Sequence, residues 1–579
     1  MSSNNYYVLD FVEKSNKLIP SNKYAALDFD FSTKLNKLIP SNKYSAYDFI
    51  ENSNKLHLQV SKKNYKILLF QQFYIDKNIE RYNEIKYSLH KNVENNYIDT
   101  IYLLNERIYT NKELGLTSTN EKIKQINIGN RLQYKDIFIH VKKMKLTGYI
   151  VFSNSDIYFD NSLELLNKSF LDKEKGIISS MRHDVQKNNE VNLKILIDTQ
   201  DSWILHSNFN IINELNLFEF KFGQLGCDNK ILYLFKILGF KLYNIPHVIK
   251  NYHVHMSNIR NYDIKNKIPG PYLLMVPLDK NNIPYETQFP CNSDNDNSIL
   301  HNYIKKCVNN NHNFIIPRIA GVENSFAVYI SLNSNSLKII NSIINYYRNT
   351  MKNNAGIKIN NYNDAINYSK IYFESFKNSG LYSIWLPHCN CFTKTQANIT
   401  KLFKKTTFSA QVFDIFHYIK GMNTIWTHAL KGKRLLIISA FIDEMKNQER
   451  NLQKIYGIDL FPNCKFVYLK PPQTNGDEPS QSFFIELKKF VIHIQNIKNS
   501  FDIALVSCGG YGNLVCNYIY KMGKSAIYVG GVLQMYFGIY GERWLLERRD
   551  IMKLYKNNYW IRPKKGPKNY KKIENGCYW

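Results

Sequence analysis

From residue 64 onward, short apolar runs alternate with amphipathic stretches. Lys66 to Phe70 (KILLF) and Asp99 to Asn105 (DTIYLLN) are apolar runs of strand length, and between them Ile79 to Lys91 repeats its apolar positions three and four apart, as a helix requires. The succession continues with Lys124 to Ile128 (KQINI), a helical pattern over Tyr134 to Met144 and the apolar run Gly148 to Phe152 (GYIVF). Strand and helix in turn predict a parallel α/β sheet, because parallel neighbours need a crossover connection. This unit is expected to close near Tyr262. A second alternation follows in Arg434 to Ser439 (RLLIIS), Lys465 to Leu469 (KFVYL), Asp502 to Ser507 (DIALVS) and Ser525 to Gly531 (SAIYVGG), strands expected to be buried on both faces. The mainly helical stretch Asn297 to Thr427 runs into it without linker composition.

The predicted division is therefore an arm at 1–60, an α/β domain at 61–265, a linker at 266–296 rich in Pro, Gly and Asn, and a second α/β domain at 297–579. The arm carries NKLIPSNKY twice, at Asn16 to Tyr24 and Asn36 to Tyr44, within a D-F-x4-N-K-L pattern starting at Asp10, Asp30 and Asp48. Units this short cannot bury a core alone, and they read as a duplicated arm or an adaptor for another protein.

Composition narrows the class. The 579 residues are 44% hydrophobic and 21% charged, which excludes wholesale disorder and collagen-like or disulfide-scaffold chains. The net charge of +28 would attract nucleic acid or other polyanions. Its lysines are scattered through a chain crowded with Asn, Ile and Tyr, so codon bias accounts for the charge better than a nucleic-acid partner does. Nine cysteines, with only Cys389 and Cys391 close together, suit neither a disulfide framework nor a zinc site and favour a reducing compartment. Met1 to Phe11 lacks a leader pattern and no apolar run approaches the roughly 20 residues that span a bilayer, so a cytoplasmic protein without a transmembrane segment is expected.

Just beyond GYIVF, Asn154 and Asp156 stand two apart at the carboxyl end of a strand, where open α/β sheets place ligands. Two oxygens at that spacing can face one divalent cation, which would neutralise a diphosphate; alone they would equally make a turn. Asp201 follows in DTQDSWIL. Asp228, just after Gly226, opens a helical pattern and serves either as a base for a sugar hydroxyl or as a helix cap. His253 and His255 alternate on an extended stretch and so share a side, as a metal ligand or as ordinary packed histidines. In the second unit Arg318 and Glu323 (IPRIAGVENSF) offer a phosphate clamp and an acid, or a surface ion pair. Gly509, Gly510 and Gly512 (CGGYGN) precede a helix over Leu514 to Met522 as a phosphate cradle or a tight turn. They lack the endings of a P-loop or a dinucleotide fingerprint.

The order strand, N-x-D, G-x-D-N and H-x-H over Asn64 to Tyr262 resembles a GT-A glycosyltransferase domain, with Asn154, Ser155 and Asp156 at the D-x-D motif and Asn154 where its first acid would stand. The resemblance implies a nucleotide-sugar donor, Mn or Mg on its diphosphate, Asp156 as metal and sugar contact, and Asp228 as base of an inverting transfer. Over Asn297 to Trp560, RIAGVE, WTHALKGKRLLIISAFIDEMKNQ, VSCGGYGN and KSAIYVGGVLQMYFGIYGERW resemble the GT-D class. That implies a second Rossmann-like nucleotide-sugar site, with Glu323 matching the acid of a D-x-E motif and Gly321 standing where its Asp would be. Gln534, Glu542, Arg543 and Trp544, after the last strand, either line the sugar pocket or serve only as packing. The expected protein is a bifunctional glycosyltransferase, monomeric or homo-oligomeric, acting on a glycan or lipid-linked acceptor. A non-enzymatic glycan-binding or assembly protein built from decayed transferase domains is the alternative; nucleic-acid binding rests on charge alone.

Overall fold

The computed structural model describes residues 64–579 apart from 187–189, 194–197, 199, 210, 258–263, 276, 278–292, 386–389, 473, 475–479, 565, 567–569 and 574–575. The repeat arm at 1–60, Cys389 and most of the expected linker lie outside the described residues.

The first alternation forms the strands β1 (Ile67–Gln71), β2 (Thr100–Asn105), β3 (Ile123–Asn127), β4 (Tyr149–Ser153), β5 (Ile157–Phe159), β6 (Gly176–Met181), β7 (His183–Val185), β8 (Val191–Asn192), β9 (Gln200–His206), β10 (Lys241–Tyr243) and β11 (Asn251–Val254). Seven of them make one sheet in the order β10-β6-β9-β4-β1-β2-β3. β1 and β4 are central and buried at every residue, which is why both read as unbroken apolar runs. The sheet is mixed rather than parallel as expected: β9 runs antiparallel to β4 and to β6. A short apolar strand looks the same in either direction, so periodicity could not reveal this. The reversal matters, because pairing from Tyr149 with His206 to Ser153 with Ser202 brings the start of β9 to the carboxyl end of β4. A second sheet, β5-β11-β7-β8, sits beyond that end and sets His253 between Ile157 and Asp184.

The sheet's alternating side chains feed two cores. Ile67, Leu69, Ile101 and Val151 pack with Ile85 and Leu89 of helix α1 (Ile79–Glu94). Leu68, Phe70, Phe152 and Trp203 pack with helix α2 (Tyr134–Lys143) and helix α3 (Cys227–Ile237) in a core that continues into the second half of the chain. Helix α3 buries nine of its eleven residues because it lies between the two halves. The described part of the expected linker also packs there: Ile268 and Leu273 are buried, and the Leu273 N–H donates to the Asn229 carbonyl at 3.1 Å.

The second half adds β12 (Ile315–Ile316), β13 (Leu381–Ile384), β14 (Thr406–Ser409), β15 (Arg434–Ile438), β16 (Lys465–Leu469), β17 (Ile503–Val506) and β18 (Ser525–Tyr528). Its main sheet, β12-β18-β17-β15-β16, is parallel throughout, with helix α4 (Gly321–Leu332) after β12 and helix α5 (Gly512–Lys521) after β17. β15, β17 and β18 are buried as expected, whereas β16 is an edge strand and partly exposed. Among the described residues no helix is long and apolar enough to cross a membrane.

The seam between the halves is close. Lys230 of α3 pairs with Asp550 at 2.5 Å, and the Tyr233 hydroxyl meets His417 Nδ1 at 3.1 Å. Gly239, at φ +84°, would place a Cβ 2.6 Å from the Lys420 carbonyl oxygen. Gly239→Ala therefore combines a left-handed backbone with a backbone clash, and is expected to destabilise the chain by at least about 2 kcal/mol, read from the urea unfolding midpoint.

Candidate active site

Beyond β4 the chain passes through Asn154, Ser155 and Asp156 before entering β5. Gln71 holds this loop by donating to Ser153 Oγ and to the carbonyls of Asn154 and Ile157, each at 2.9 Å. Asn92, on the buried face of α1, donates to the Ile157 carbonyl at 2.9 Å and accepts from the Phe159 N–H at 3.1 Å. Two buried amides thus fix a loop whose side chains are the chemistry.

Asp156 is 5% exposed. Its Oδ2 accepts from Arg81 Nη2 and lies 3.2 Å from His253 Nε2. His253 Nδ1 is 2.9 Å from Asp184 Oδ1, which also accepts from Arg182 Nε at 3.1 Å, and Arg182 Nη1 reaches Asp201 Oδ2 at 2.6 Å. Asn154 closes the chain of alternating charges by donating its amide to Asp201 Oδ1 at 2.7 Å. Arg81 Nη1 further donates to Glu84 Oε2 at 2.9 Å, His255 Nδ1 at 2.8 Å and the Val254 carbonyl at 3.3 Å. The His253 and His255 rings stack, 5.3 Å apart, on one side of their strand. Asp156 Oδ1 and His255 Nε2 are buried with no hydrogen-bond partner among the described residues.

These contacts set the protonation. Burial pushes the Asp156 carboxyl up, but His253 and Arg81 outweigh it and hold it well below the usual carboxylate range. Burial pulls His253 down, while Asp156 and Asp184 overcome it and push it up to about 9. His255 is lowered to about 4 by burial and then by the charges of Arg81 and His253. Asp228 opens α3, where the Cys227 thiol donates to its Oδ1 at 3.1 Å. Burial, and then the charge of Asp201, raise Asp228 well above the carboxylate range.

The fold therefore brings Asn154, Asp156, Asp201, His253 and His255 into one network, with Asp228 in the electrostatic reach of Asp201. Sequence reasoning missed Arg81, Arg182 and Asp184. Arg81 lies in the first turn of a helix far upstream, and Asp184 comes to His253 only through the pairing of β7 with β11, so no local spacing signals either.

The ligand atoms of Asp156, His253 and His255 lie within 4.8 Å of one another, a spacing suited to one metal ion. Their lone pairs are less suited. Both His253 nitrogens face carboxylates, and His255 Nδ1 accepts from Arg81, which leaves the proton on Nε2. Of these ligand atoms Asp156 Oδ1 alone stays open among the described residues, so this arrangement does not fit a divalent cation.

The second-half candidates stand apart from this network. The Arg318 N–H donates to Asn513 Oδ1 and its Nη1 to the Val529 carbonyl, both at 3.0 Å, while Nε is buried without a hydrogen-bond partner among the described residues. Glu323, in the first turn of α4, bears electrostatically on Tyr368, Tyr372 and Tyr528, whose phenols are raised by burial and then by its charge. The close approach that Gly509, Gly510 and Gly512 permit is to the chain itself. Added Cβ atoms would meet the Ala355 carbonyl oxygen at 2.7 Å, Ile357 Cγ1 at 2.5 Å and the Tyr528 ring at 2.3 Å, and the Gly510 N–H already donates to Ala355. Gln534 is buried and donates to the Ile539 and Tyr578 carbonyls at 3.2 and 3.3 Å; Arg543 lies over the Tyr578 ring. Both secure the end of the chain. A cavity of about 480 Å³ lined by Phe138, Val141, Leu146, Ile150, Leu205 and Phe209 sits at the amino end of β4, opposite Asp156, and is no part of this site.

No family model and no curated protein matches the chain. About a third of it aligns, at low overall similarity, with parts of solved structures. One is the mannosyltransferase PcManGT from Pyrobaculum calidifontis in complex with GDP-Man and Mn2+, at 11% identity and a TM-score of 0.24 over 37% of this chain and 65% of that one. Another is GalNAc-T7 with UDP, GalNAc and Mn2+, at 9% identity and a TM-score of 0.23 over 34% of this chain and 45% of that one.

Proposed function

We propose that the first sheet transfers a sugar from a nucleotide-sugar donor to a glycan or lipid-linked acceptor. The observation that carries this is the buried, alternating charge network at the carboxyl end of β4, with Asp156 Oδ1 and His255 Nε2 left unsatisfied inside it. A buried polar atom without a partner costs about 1–3 kcal/mol, a cost that a polar ligand relieves. Asp156 Oδ1 would accept from a sugar hydroxyl, and the neighbouring cations would stabilise negative charge building on a departing diphosphate. Asp228 would take the proton of the acceptor hydroxyl: burial, and then the charge of Asp201, raise its carboxyl above the usual range and so make its carboxylate a stronger base than a solvated one.

For the second sheet the proposal is a second transfer, with Arg318 and Glu323 at the carboxyl end of β12, so that two sugars are added in succession. The unsatisfied Arg318 Nε supports it. The packing of the glycine turn against Ala355 and Tyr528 counts against a phosphate cradle there, and the alternative for this half is a role without catalysis.

Incubation of the full chain with labelled UDP-, GDP- and TDP-sugars separates these readings. Asp228→Asn is expected to slow the first transfer by about 100-fold or more while leaving the thermal shift given by the nucleoside diphosphate intact. Unchanged turnover would remove Asp228 from the mechanism. Glu323→Gln is expected to leave the first transfer unchanged and stop the second; a second transfer that survives would remove Glu323.

A further inference from the structure

The cation role in this site is already filled by a side chain. Arg81 is fixed from several sides: its N–H donates to the helix cap Asn78, its guanidinium to Glu84 Oε2, to the Val254 carbonyl and to Asp156 Oδ2, and its side chain is 12% exposed. A guanidinium stays charged and has no lone pair to offer a metal. Lying against Asp156, it repels a divalent ion from the carboxylate the ion would need. It also selects the tautomer of His255. Because Arg81 can only donate, His255 Nδ1 must accept, and Nε2 then carries a proton and becomes a donor. That nitrogen has no acceptor among the described residues. Asn154 removes a further anionic ligand, since its amide is spent on Asp201.

We infer that the site holds the diphosphate of its donor without a divalent cation, with Arg81 supplying the fixed positive charge and His255 Nε2–H the hydrogen bond to a phosphate oxygen. This rests on the nucleotide-sugar reading above and departs from the metal dependence that the GT-A resemblance implies. Arg81 acts by its charge and by fixing Asp156 and the His255 tautomer, and the position of the donor sugar is left to Asp156 Oδ1.

The test is UDP and GDP binding to the full chain by calorimetry, in EDTA and in Mn2+, with electron paramagnetic resonance of added Mn2+ on the nucleotide-free protein. The expected result is equal affinity in both buffers and a free-Mn2+ signal that the protein does not diminish. His255→Gln is expected to weaken binding in EDTA about tenfold, equivalent to about 1.4 kcal/mol, and Arg81→Met by more. If Arg81→Met does not fold, the wild-type comparison and His255→Gln decide the matter alone. Binding that requires Mn2+, or one tightly held Mn2+ per chain before nucleotide is added, overturns the inference and leaves the transferase reading standing. Full affinity of His255→Gln in EDTA also overturns it. No binding of either nucleotide in either buffer overturns both.

Discussion

Asp156→Ala is expected to abolish sugar transfer by the first sheet and to weaken the fold at the same time. The substitution removes the anion shared by Arg81 and His253, both largely buried, and leaves Arg81 with Glu84 and His253 with Asp184 as their remaining counter-charges. Breaking one side of a buried pair costs about 3–5 kcal/mol, far above the effect of an ordinary surface substitution. The catalytic loss should be at least about 100-fold, the scale for removing a preorganised electrostatic contact from a transition state. Asp156→Asn separates the two effects, because it keeps the shape and one accepting oxygen while removing the charge. Denaturant unfolding and donor turnover measured on both variants check the prediction. A wild-type rate in Asp156→Ala would take Asp156 out of the mechanism, and wild-type stability would contradict the network.

The second large effect is on pH dependence. His253 has a folded pKa of about 9, above its unfolded value of about 6.5. Its contribution is fully present below pH 6.5 and is lost as pH rises toward 9, because the folded state holds a proton that the unfolded chain has released. His255 acts in the opposite sense. Its folded pKa of about 4 means that the unfolded chain binds the extra proton, so stability is lost as pH falls from about 6.5 to 4. The charged and titratable groups around the pair are Tyr74, Arg81 and Glu84, Asp156 beyond β4, and Arg182 and Asp184 beside β11. Stability from this site should therefore peak near pH 6.5. His253→Asn should flatten the alkaline limb and His255→Gln the acid limb, as read from urea midpoints between pH 4 and 9. A wild-type alkaline limb in His253→Asn would show that His253 is not held charged between Asp156 and Asp184.

Much of this architecture is legible in the chain's pattern. KILLF reads as a strand and GYIVF as a buried one because both lie in the middle of a sheet, and KFVYL occupies its predicted bounds even though it is a partly exposed edge. The direction of β9 was not legible, since strand period is blind to polarity. Of the site, Asn154, Asp156, His253 and His255 could be picked out because a two-residue spacing on extended backbone puts side chains on one side. Arg81 and Asp184 could not, since each reaches Asp156 or His253 across a tertiary contact between segments far apart in sequence. The glycine turn shows the opposite error: three glycines before a helix suggest room for a ligand, while the fold uses the room for Ala355, Ile357 and Tyr528.

The most direct measurement is a crystal structure of the full chain with a non-hydrolysable nucleotide sugar. The account predicts a diphosphate oxygen within hydrogen-bond distance of His255 Nε2, the sugar against Asp156 Oδ1, and Arg81 still paired with Asp156. A ligand seated in the cavity at the amino end of β4, or one that leaves Asp156 Oδ1 and His255 Nε2 without partners, would contradict it.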